Sequence, residues 1–394
     1  MTILDYVRSH AEATPLKEAV IHNGETISYE KLYEKMLNRT PLPIPLLGEG
    51  WDKPFILKTT GSTGEAKQVI ISQEAVIANS ENLIEGNGYT SETVFIVAGA
   101  LDHLGSWSKF FPVLILGGTL IILDNLKDMG AFFQALDYPS SHMATFLVPS
   151  NVRILLQFSK EKLASYADKI DFIETGGAPM PHSDMQLLCQ TLPRTRLYNT
   201  YASTETGIIC TYNYNDGRCI PMCVGKPMKH SKVIITEEGL IACQGKTLMD
   251  GYANMPEQTL EVLYDNTVFT KDKGFIDEEG MLHIQGRTDD IINVGGLKVA
   301  PNEVEEVALS LSEVKECICI AVPHPILGNA LKLNIVLNDG CVLNKKEIAQ
   351  KLRQSLETYK VPLYYESVGN IEKTSNGKLN RKYYRIDLTK EIKA

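Results

Sequence analysis

No stretch of this sequence is apolar for long enough to cross a lipid bilayer as a helix. The first residues, MTILDYVRSHAEATP, also lack the basic segment followed by an apolar segment that is typical of a secretory leader. We therefore expect a protein that stays in the cytoplasm and does not insert into a membrane.

Paired cysteines and long basic runs are absent too. The eight cysteines show no CxxC pair, so a zinc site or a disulfide framework is disfavoured and free thiols are expected. The formal net charge is -9, and no basic stretch is longer than NRKYYR near the C-terminus. Nucleic acids and anionic membranes attract broad basic surfaces, so we expect neither as a partner.

The order of the apolar segments predicts an α/β fold. Four short runs rich in β-branched residues are candidate strands, and MGAFFQAL predicts a helix between the second and the third. The four runs are TVFIVAGA, TLIILD, MATFLVP and KIDFIETGG. This alternation indicates layered helices and strands with a substantial parallel component. After Gly207, short strands with turns at Glu238-Gly239 and Glu279-Gly280 predict a β-rich subdomain.

A charged turn and a glycine pair in GRTDDIINVGG interrupt the strand signals and predict a domain boundary. We expect a large N-terminal domain at residues 1–286 and a small α+β domain at residues 287–394. In the small domain, Pro301 marks the entry to one helix, and NKKEIAQKLRQSLETY predicts another that is capped by Asn344.

The stretch LKTTGSTGEAKQVIIS, residues 57–72, has the composition of a phosphate-binding loop. It is not a Walker loop, since Lys67 follows Ala66 and precedes Gln68, where that motif needs Gly before the lysine and Ser or Thr after it. Close backbone approach at the glycines and donors from the hydroxyls and the lysine still suit a polyphosphate. These residues are Thr59, Thr60, Gly61, Ser62, Thr63, Gly64 and Lys67. A plain polar turn between two strands also fits the loop.

Five stretches in one order favour the phosphate-binding interpretation. TTGSTGEAK, YNTYASTETG, FTKDKGFIDEEG, GRTDDIINVGGLKVAPNEVEE and KTSNGKLNRK together resemble the motifs of the adenylate-forming superfamily. That superfamily contains acyl-CoA synthetases, adenylation domains of non-ribosomal peptide synthesis and luciferases. The resemblance runs from Ser28 to Arg381, nearly the whole chain. It implies a large N-terminal adenylating domain, a small mobile C-terminal domain, and ATP with Mg²⁺ as ligands.

The resemblance also implies roles for residues of the nucleotide site. Residues 59–67 would close over the β- and γ-phosphates, Tyr201 would stack on adenine, and Asp272 would bind the ribose hydroxyls. Arg287 would reach the ribose or the phosphates. Gly176, Gly177 and Ala178 of TGGAP would form an edge of the adenine pocket, although this segment also fits an ordinary turn at a strand end.

Two residues of TYASTETG would act on the phosphates. By the resemblance, Thr204 contacts the α-phosphate and Glu205 holds Mg²⁺, a hard cation that suits a carboxylate ligand. The same letters fit a different structure, since Ser203 followed by Thr-Glu-Thr is also typical of a capped helix start.

The small domain would supply the remaining residues. Lys378 would enter the site and bridge the acyl carboxylate and the α-phosphate as pyrophosphate leaves. The small domain would then rotate about a hinge at Asp289, so that Gly295 and Gly296 line a path for an incoming thiol. Without the resemblance, Lys378 would also fit an ordinary surface lysine.

The segment AGALDHLGSW matches the start of the family's acid pocket. Amino-acid-activating members place an Asp there, whereas acyl- and aryl-activating members usually have a His; here Asp102 and His103 are adjacent. Aligning His103 with the acyl-type position favours an acid without an α-amino group. A histidine that is merely packed in the core is the alternative.

The chain departs from the family near its N-terminus, and Ala66 also replaces the usual proline of the phosphate loop. ISYEKLYEKML resembles the family's N-terminal TYxEL segment, yet the phosphate loop begins at residue 59, so most of the first Rossmann-like subdomain is expected to be missing. A second copy of the chain would compensate for the lost core, and we expect a homodimer.

The leading functional hypothesis is an ATP-dependent ligase that converts a small-molecule carboxylic acid into an acyl- or aryl-adenylate and passes the acyl group to coenzyme A. The alternatives are transfer to the phosphopantetheine arm of an acyl carrier protein, activation of an amino acid, and a degenerate protein that only binds a nucleotide.

Overall fold

The computed structural model describes residues 1–42, 53–59, 67–99, 101–123, 129–374, 378–381 and 383–384. The helices in this part of the chain are α1 (Ile3–Ala13), α2 (Tyr29–Leu37), α3 (Gln73–Asn87), α4 (Leu104–Trp107), α5 (Phe110–Leu116), α6 (Met129–Leu136), α7 (Pro149–Phe158), α8 (Lys160–Ala164), α9 (His182–Thr191), α10 (Pro256–Leu260), α11 (Pro301–Leu309) and α12 (Lys345–Leu352). None of these helices is both long enough and apolar enough to span a membrane.

The strands of the described residues are β1 (Glu18–His22), β2 (Glu25–Ser28), β3 (Phe55–Lys58), β4 (Gln68–Ile71), β5 (Val94–Val97), β6 (Thr119–Ile122), β7 (Met143–Leu147), β8 (Ile170–Gly176), β9 (Arg196–Ser203), β10 (Gly207–Asn213), β11 (Cys223–Pro227), β12 (Ser231–Ile235), β13 (Leu240–Gly245), β14 (Gly251–Tyr252), β15 (Leu263–Tyr264), β16 (Thr267–Ile276), β17 (Leu282–Arg287), β18 (Ile292–Val294), β19 (Leu297–Val299), β20 (Val314–His324), β21 (Gly328–Leu337) and β22 (Tyr364–Ser367).

One long mixed sheet runs through the N-terminal domain. Its strand order is β12-β13-β16-β17-β11-β10-β9-β8-β7-β5-β6-β1-β2, with β15 paired to β16. The pairings β1–β6, β5–β6, β5–β7, β7–β8 and β8–β9 are parallel. The other pairings of this sheet are antiparallel. The four predicted strands and the predicted helix α6 are confirmed, as is the β-rich part after Gly207.

Helices cover both faces of the parallel half. β5 and β6 are buried along their whole length and read as the continuous apolar runs VFIV and TLII, as strands covered on both sides do. One core lies against α1, α2, α3 and α5, and the other against α6, α7 and α9. The carboxyl ends of β5, β7, β8 and β9 meet at one edge of the sheet, the place where open parallel sheets bind ligands.

Asparagines fix α3 against β10. Asn79 Oδ1 accepts a hydrogen bond from Ile208 N at 2.6 Å, and Asn82 Nδ2 donates to Ile208 O at 2.9 Å. Asn82 Oδ1 also accepts from His230 N at 2.8 Å. Buried backbone groups need partners, so these amides set the height of α3 above the sheet and place its last residue, Asn87, near the carboxyl end of β8.

The N-terminal segment extends the same sheet. β1 pairs in parallel with β6 and antiparallel with β2, and α2 follows at once. Only residues 38–54 separate α2 from β3, so the expected shortening of the first subdomain is confirmed.

The small domain has its own sheet and core. β20, β21 and β22 form the sheet, and residues of α11 and α12 pack on it. Asn344 caps α12 as predicted, accepting from Glu347 N at 3.3 Å. The predicted length of this helix is wrong, because α12 ends at Leu352. The chain then turns, with Leu356 packed against the core and Val361 extended before a proline.

Two hydrogen bonds join the small domain to helices of the large domain. Glu306 Oε1 of α11 accepts a hydrogen bond of 2.6 Å from His182 N at the start of α9. Arg153 Nη1 of α7 donates to Lys315 O at 3.2 Å. These contacts hold the small domain over the edge where the parallel strands end.

Candidate active site

Thr59 and Lys67 close the stem of the predicted phosphate loop. Thr59 N donates to Lys67 O at 2.9 Å, and Lys67 N donates to Thr59 Oγ1 at 3.1 Å, at the end of the β3–β4 hairpin. The other predicted loop residues lie outside the described residues; they are Thr60, Gly61, Ser62, Thr63 and Gly64. The closed stem is compatible with a phosphate loop and with a plain turn.

Tyr252 of β14 connects this stem to Glu205. Lys67 Nζ lies 4.3 Å from the centroid of the Tyr252 ring, and the Tyr252 hydroxyl donates to Glu205 Oε1 at 2.9 Å. Burial and the neighbouring Glu205 carboxylate raise the pKa of Tyr252, so its hydroxyl remains a donor at neutral pH. No pattern in the sequence marks Tyr252 as a site residue, because only the pairing of β14 with β4 brings it here.

Thr204 and Glu205 lie in the tight turn between β9 and β10. Ser203 N donates to Thr206 Oγ1 at 3.0 Å, Thr206 N donates to Ser203 Oγ at 3.1 Å, and Gly207 pairs with Ser203. The alternative of a helix start at Ser203 is wrong, since the chain reverses into an antiparallel strand. The turn places both predicted side chains at the carboxyl end of the parallel strands, half-buried.

Tyr201, Asp272 and Arg287 form a connected group beside this turn. Tyr201 OH donates to Asp272 Oδ2 at 2.7 Å, and Arg287 Nη1 donates to Asp272 Oδ1 at 3.1 Å. Burial raises the pKa of Asp272, although Arg287 and Tyr201 both act in the opposite direction. Three residues predicted for the nucleotide therefore lie together, on β9, β16 and β17.

Lys378 reaches the same edge from the small domain. A methyl group added at Gly177 would lie 3.4 Å from Lys378 Cε and 3.9 Å from Nζ, at ordinary van der Waals distance, so the end of the lysine lies beside this glycine. Gly177 has φ +81°, a conformation that favours glycine. Burial and Arg287 lower the pKa of Lys378, which Asp272 and Glu205 raise by smaller amounts. The lysine is thus half-buried beside the predicted nucleotide residues rather than fully exposed on the surface.

The glycines of TGGAP lie at the end of β8 and form a flat edge there. A methyl group at Gly176 would lie 2.9 Å from Thr200 O, and Ala178, next after Gly177, is half-buried. The segment is therefore a strand-end turn, and this turn borders Lys378. The strand-end turn is confirmed, and an edge of the adenine pocket at this segment stays a prediction.

The predicted acid-pocket residues begin the short helix α4. His103 is half-buried, its carbonyl accepts from Trp107 N at 2.8 Å, and its ring makes no capping hydrogen bond; Asp102 is exposed. The half-exposed ring of Phe146, which lies at the end of β7, fills the space beside two glycines. A methyl group at Gly105 would lie 2.7 Å from Phe146 Cε1, and one at Gly176 would lie 3.5 Å from Cε2.

A buried ion pair lies behind Phe146 and was not predicted. Lys109 Nζ is 2.6 Å from Glu174 Oε1, and the side chains are 1% and 0% exposed. Lys109 Nζ also lies 5.2 Å from the centroid of the Phe146 ring. The one signal in the sequence is a lone lysine in the apolar run SWSKFFPVLIL.

The predicted hinge and thiol-path residues lie beyond β17. Asp289 accepts from Arg287 Nε at 3.1 Å, which ties the predicted hinge to the Asp272 group. Gly295 N donates to Leu327 O at 2.9 Å, and Gly296 N donates to Asn293 Oδ1 at 2.8 Å. Both glycines are exposed in the turn between β18 and β19, so their contacts are within the small domain.

Glu205 fits a magnesium ion that is bound together with a nucleotide. In nucleotide sites Mg²⁺ is commonly held by one or two carboxylates, with substrate phosphates and waters as the other ligands. Among the described residues, no three His, Cys, Asp or Glu side chains are grouped to hold a metal by themselves. A single carboxylate at the turn agrees with a metal that arrives with ATP.

An open groove of about 890 Å³ lies away from Lys378. Tyr6, Glu74 and His230 contribute to its walls, and Met249 of the same groove donates its backbone N–H to Glu205 O. The groove is therefore behind the Glu205 turn. The converging side chains, and not the size of a cavity, mark the candidate site.

Comparison with known families and curated proteins agrees with this geometry. The family model "AMP-binding enzyme" matches residues 47–253, more than half of the chain, and "AMP-binding enzyme C-terminal domain" matches residues 303–378. The chain is 27% identical over 361 residues to a long-chain-fatty-acid–CoA ligase of Bacillus subtilis, covering 86% of this chain and 63% of that protein. It is 28% identical over 341 residues to a 3,4-dihydroxybenzoate–[aryl-carrier protein] ligase of Bacillus anthracis, covering 84% and 73%.

Solved structures show the same fold. ATP-bound MatB from Rhodopseudomonas palustris superposes with a TM-score of 0.78 at 25% identity, over 86% of this chain and 68% of that one. The o-succinylbenzoate CoA synthetase MenE from Bacillus subtilis, in complex with its acyl-adenylate intermediate OSB-AMP, gives a TM-score of 0.81 at 18% identity, over 96% and 97%. The expected adenylating-enzyme fold is confirmed.

Proposed function

Because the chain belongs to the AMP-binding enzyme family of adenylate-forming ligases, we propose that it activates a carboxylic acid with ATP and transfers the acyl group to the thiol of coenzyme A. The observation that carries the proposal is the position of Lys378, half-buried beside Gly177 and within electrostatic range of Asp272 and Glu205. A lysine delivered from a second domain to this edge has a task in acyl activation that simple nucleotide binding does not require.

The first half-reaction needs two anions to approach each other. A carboxylate oxygen of the acid attacks the α-phosphorus, the bond from that phosphorus to the oxygen bridging the β-phosphorus breaks, and pyrophosphate leaves with the electron pair. The Lys378 ammonium would neutralise both the carboxylate and the α-phosphate. Tyr201 and Asp272 orient the nucleoside, and Thr204 donates to the α-phosphate.

Magnesium would enter this step bound to the phosphate oxygens of ATP. Glu205 would hold it, with the carboxylate oriented by the Tyr252 hydroxyl. When bound, the ion neutralises negative charge on the phosphate oxygens.

The second half-reaction releases AMP. The thiol sulfur bonds to the acyl carbon, the bond from that carbon to the phosphate oxygen breaks, and AMP leaves with the electron pair while the thiol proton goes to solvent. Rotation about Asp289 would remove Lys378 and bring the Gly295-Gly296 turn to the edge. A domain boundary at residues 286 and 287 is part of this proposal.

The acceptor has two candidates, because one relative is named a CoA ligase and another an aryl-carrier-protein ligase. Free coenzyme A suffices under the first alternative and fails under the second, which needs a carrier protein loaded with phosphopantetheine. A homodimer is also proposed, and light scattering in solution measures it directly.

The deciding experiment is exchange of labelled pyrophosphate into ATP, which isolates the first half-reaction from the acceptor. The panel contains hexanoate, benzoate, malonate, succinate and phenylalanine. We expect exchange with hexanoate or benzoate, and none in Lys378→Ala with any acid. Exchange with phenylalanine alone would make the protein an amino-acid-activating enzyme. ATP binding without exchange on any acid would contradict the proposal and leave a nucleotide-binding protein.

A further inference from the structure

The ion pair of Lys109 and Glu174 is placed close to the site although neither side chain reaches solvent. Glu174 lies in β8, two residues before Gly176, and Phe146 is its register partner on the adjacent parallel strand β7. Register partners point to the same face of a sheet, so Glu174, Phe146 and the Lys109 ammonium share the face against α3 and α5. The pair therefore lies directly under the Phe146 ring.

Glu174 continues into a chain of buried polar groups. Its Oε2 accepts from Asn87 Nδ2 at 3.1 Å, and Asn87 Oδ1 accepts from Thr211 Oγ1 at 2.9 Å. Thr211 Oγ1 lies 3.2 Å from Thr200 Oγ1, next to Tyr201 in sequence. The chain thus connects the end of α3 with β8, β9 and β10, of which β8 and β9 carry site residues.

Phe146 is held between this pair and the open edge. On one side the ammonium of Lys109 lies over its ring, and on the other the ring occupies the space beside Gly105 and Gly176 that a larger residue would need. Phe146 is half-exposed, unlike its buried neighbours Thr145 and Leu147. One glycine further, Gly177 contacts Lys378. An acid whose carboxylate meets Lys378 would pass Gly176 and contact the Phe146 ring.

Stability alone does not account for a charged pair at this place. Taking an ammonium and a carboxylate out of water is costly, and replacing such a pair by apolar residues of similar volume is often neutral or stabilising. A buried ion pair does, however, fix the direction in which both side chains point. Here that direction sets the position of α4 and of the Phe146 ring.

We propose that Lys109 and Glu174 are positioning residues for the acid: they hold Phe146 and the His103–Lys109 segment so that the pocket accepts the apolar body of a monocarboxylic acid. Both Glu174 oxygens have partners within the protein and the Lys109 charge is matched, so the pair offers no free cation to a second carboxylate. The inference rests on the proposed function and adds the substrate class to it.

The test compares Lys109→Met, Glu174→Gln and the double variant Lys109→Met/Glu174→Met in the pyrophosphate-exchange assay. The acids are hexanoate, benzoate, malonate and succinate. Asp171→Asn is the matched control, because Asp171 lies on the same strand and pairs with Arg196 at 2.8 Å. Asp171 lies near the start of β8, away from the end of the strand that is next to Phe146.

We expect each single variant to raise the KM of the preferred monocarboxylate about tenfold or more, as displaced positioning groups do, with the KM of ATP changed less than about twofold. The double variant should unfold at the same thermal midpoint as the wild type. Its KM for the acid should nevertheless stay raised, as in the single variants. Asp171→Asn should leave both KM values unchanged.

Three results would overturn the inference. A double variant that restores both the thermal midpoint and the KM of the acid would show that the pair is only structural. Preference of the wild type for malonate or succinate would contradict the monocarboxylate assignment. A wild type that exchanges with none of the acids contradicts the proposed function itself, and the inference falls with it.

Discussion

The hydroxyl of Tyr252 donates a hydrogen bond of 2.9 Å to Glu205 Oε1, while the ring of the same tyrosine lies under the ammonium of Lys67. One side chain thus orients the proposed magnesium ligand and supports the stem of the loop. We predict that Tyr252→Phe, which keeps the ring and loses the hydroxyl, raises the magnesium concentration for half-maximal exchange about fivefold, the equivalent of one hydrogen bond. Titration of MgCl₂ at saturating ATP measures this.

The control for the tyrosine is Tyr264→Phe. Tyr264 is 68% exposed, and removal of its hydroxyl should leave the magnesium dependence unchanged. An unchanged magnesium dependence in Tyr252→Phe would refute the orienting role of the hydroxyl.

Lys378→Ala should lower the rate of pyrophosphate exchange by about 10²–10³-fold, the range found when a group that stabilises transition-state charge is removed. ATP should still bind, because Tyr201, Asp272 and Arg287 remain; a fluorescent ATP analogue measures its affinity. Lys373→Ala is the control in the same segment, since its ammonium pairs with Glu316 at 2.9 Å. Equal losses in both variants would show a damaged segment instead of a missing charge.

The pH profile of adenylation should fall on the alkaline side before an ordinary lysine titrates. Lys378 acts as a cation, and its pKa lies below 10.5 because burial and Arg287 disfavour the charge. A lowered pKa means that the proton is lost at a lower pH, so kcat/KM for ATP, which reports the free enzyme, should have an alkaline midpoint below 10.5. The residual activity of Lys378→Arg should lack this fall, and an identical midpoint in that variant would assign the titration to another group.

The contact between Glu306 and His182 N should favour the first half-reaction over the second. A carboxylate at a helix N-terminus contributes about 0.3–1 kcal/mol, so Glu306→Ala should slow exchange up to about fivefold. Transfer from a preformed adenylate to coenzyme A should not slow. Burial raises the pKa of Glu306, so the contact weakens when acidification protonates the carboxyl.

The control on the same helix is Glu303→Ala, whose carboxylate pairs with Lys360 at 2.7 Å within the small domain. It should leave the ratio of the two half-reactions at the wild-type value. Equal slowing of both half-reactions in Glu306→Ala would argue against a role in domain placement.

Much of the fold follows from local pattern. Apolar runs such as VFIV and TLII need cover on both faces, and that need alone predicts buried parallel strands. The order of five short motifs matches the motif order of one family, and these motifs contain Thr204, Glu205, Asp272, Arg287 and Lys378. The structure brings these residues to one edge of the sheet. Position in a motif was enough to name these residues, although their roles stay predictions.

The residues that escaped the sequence analysis are paired across the fold. Lys109 and Glu174 are 65 residues apart, and Tyr252 and Glu205 are 47 apart. Each pair depends on the register of strands whose partners the sequence does not name. Ser203 is a case in which the local sequence predicts the wrong structure. Its neighbours in the sequence fit a helix cap, and only the pairing of β9 with β10 shows that the chain turns here.

Described residues on both sides of Lys378 in the chain are bound to α11 and β20. Lys373 is bound to Glu316, and Arg381 holds Glu305 through two nitrogens at 2.8 and 2.6 Å while also donating to Cys319 O. We therefore expect Lys378 to move away from Gly177 only together with α11 and β20. In the proposed mechanism, these attachments would make the removal of Lys378 a movement of the whole small domain, so the residues of the first step would leave before those of the second arrive.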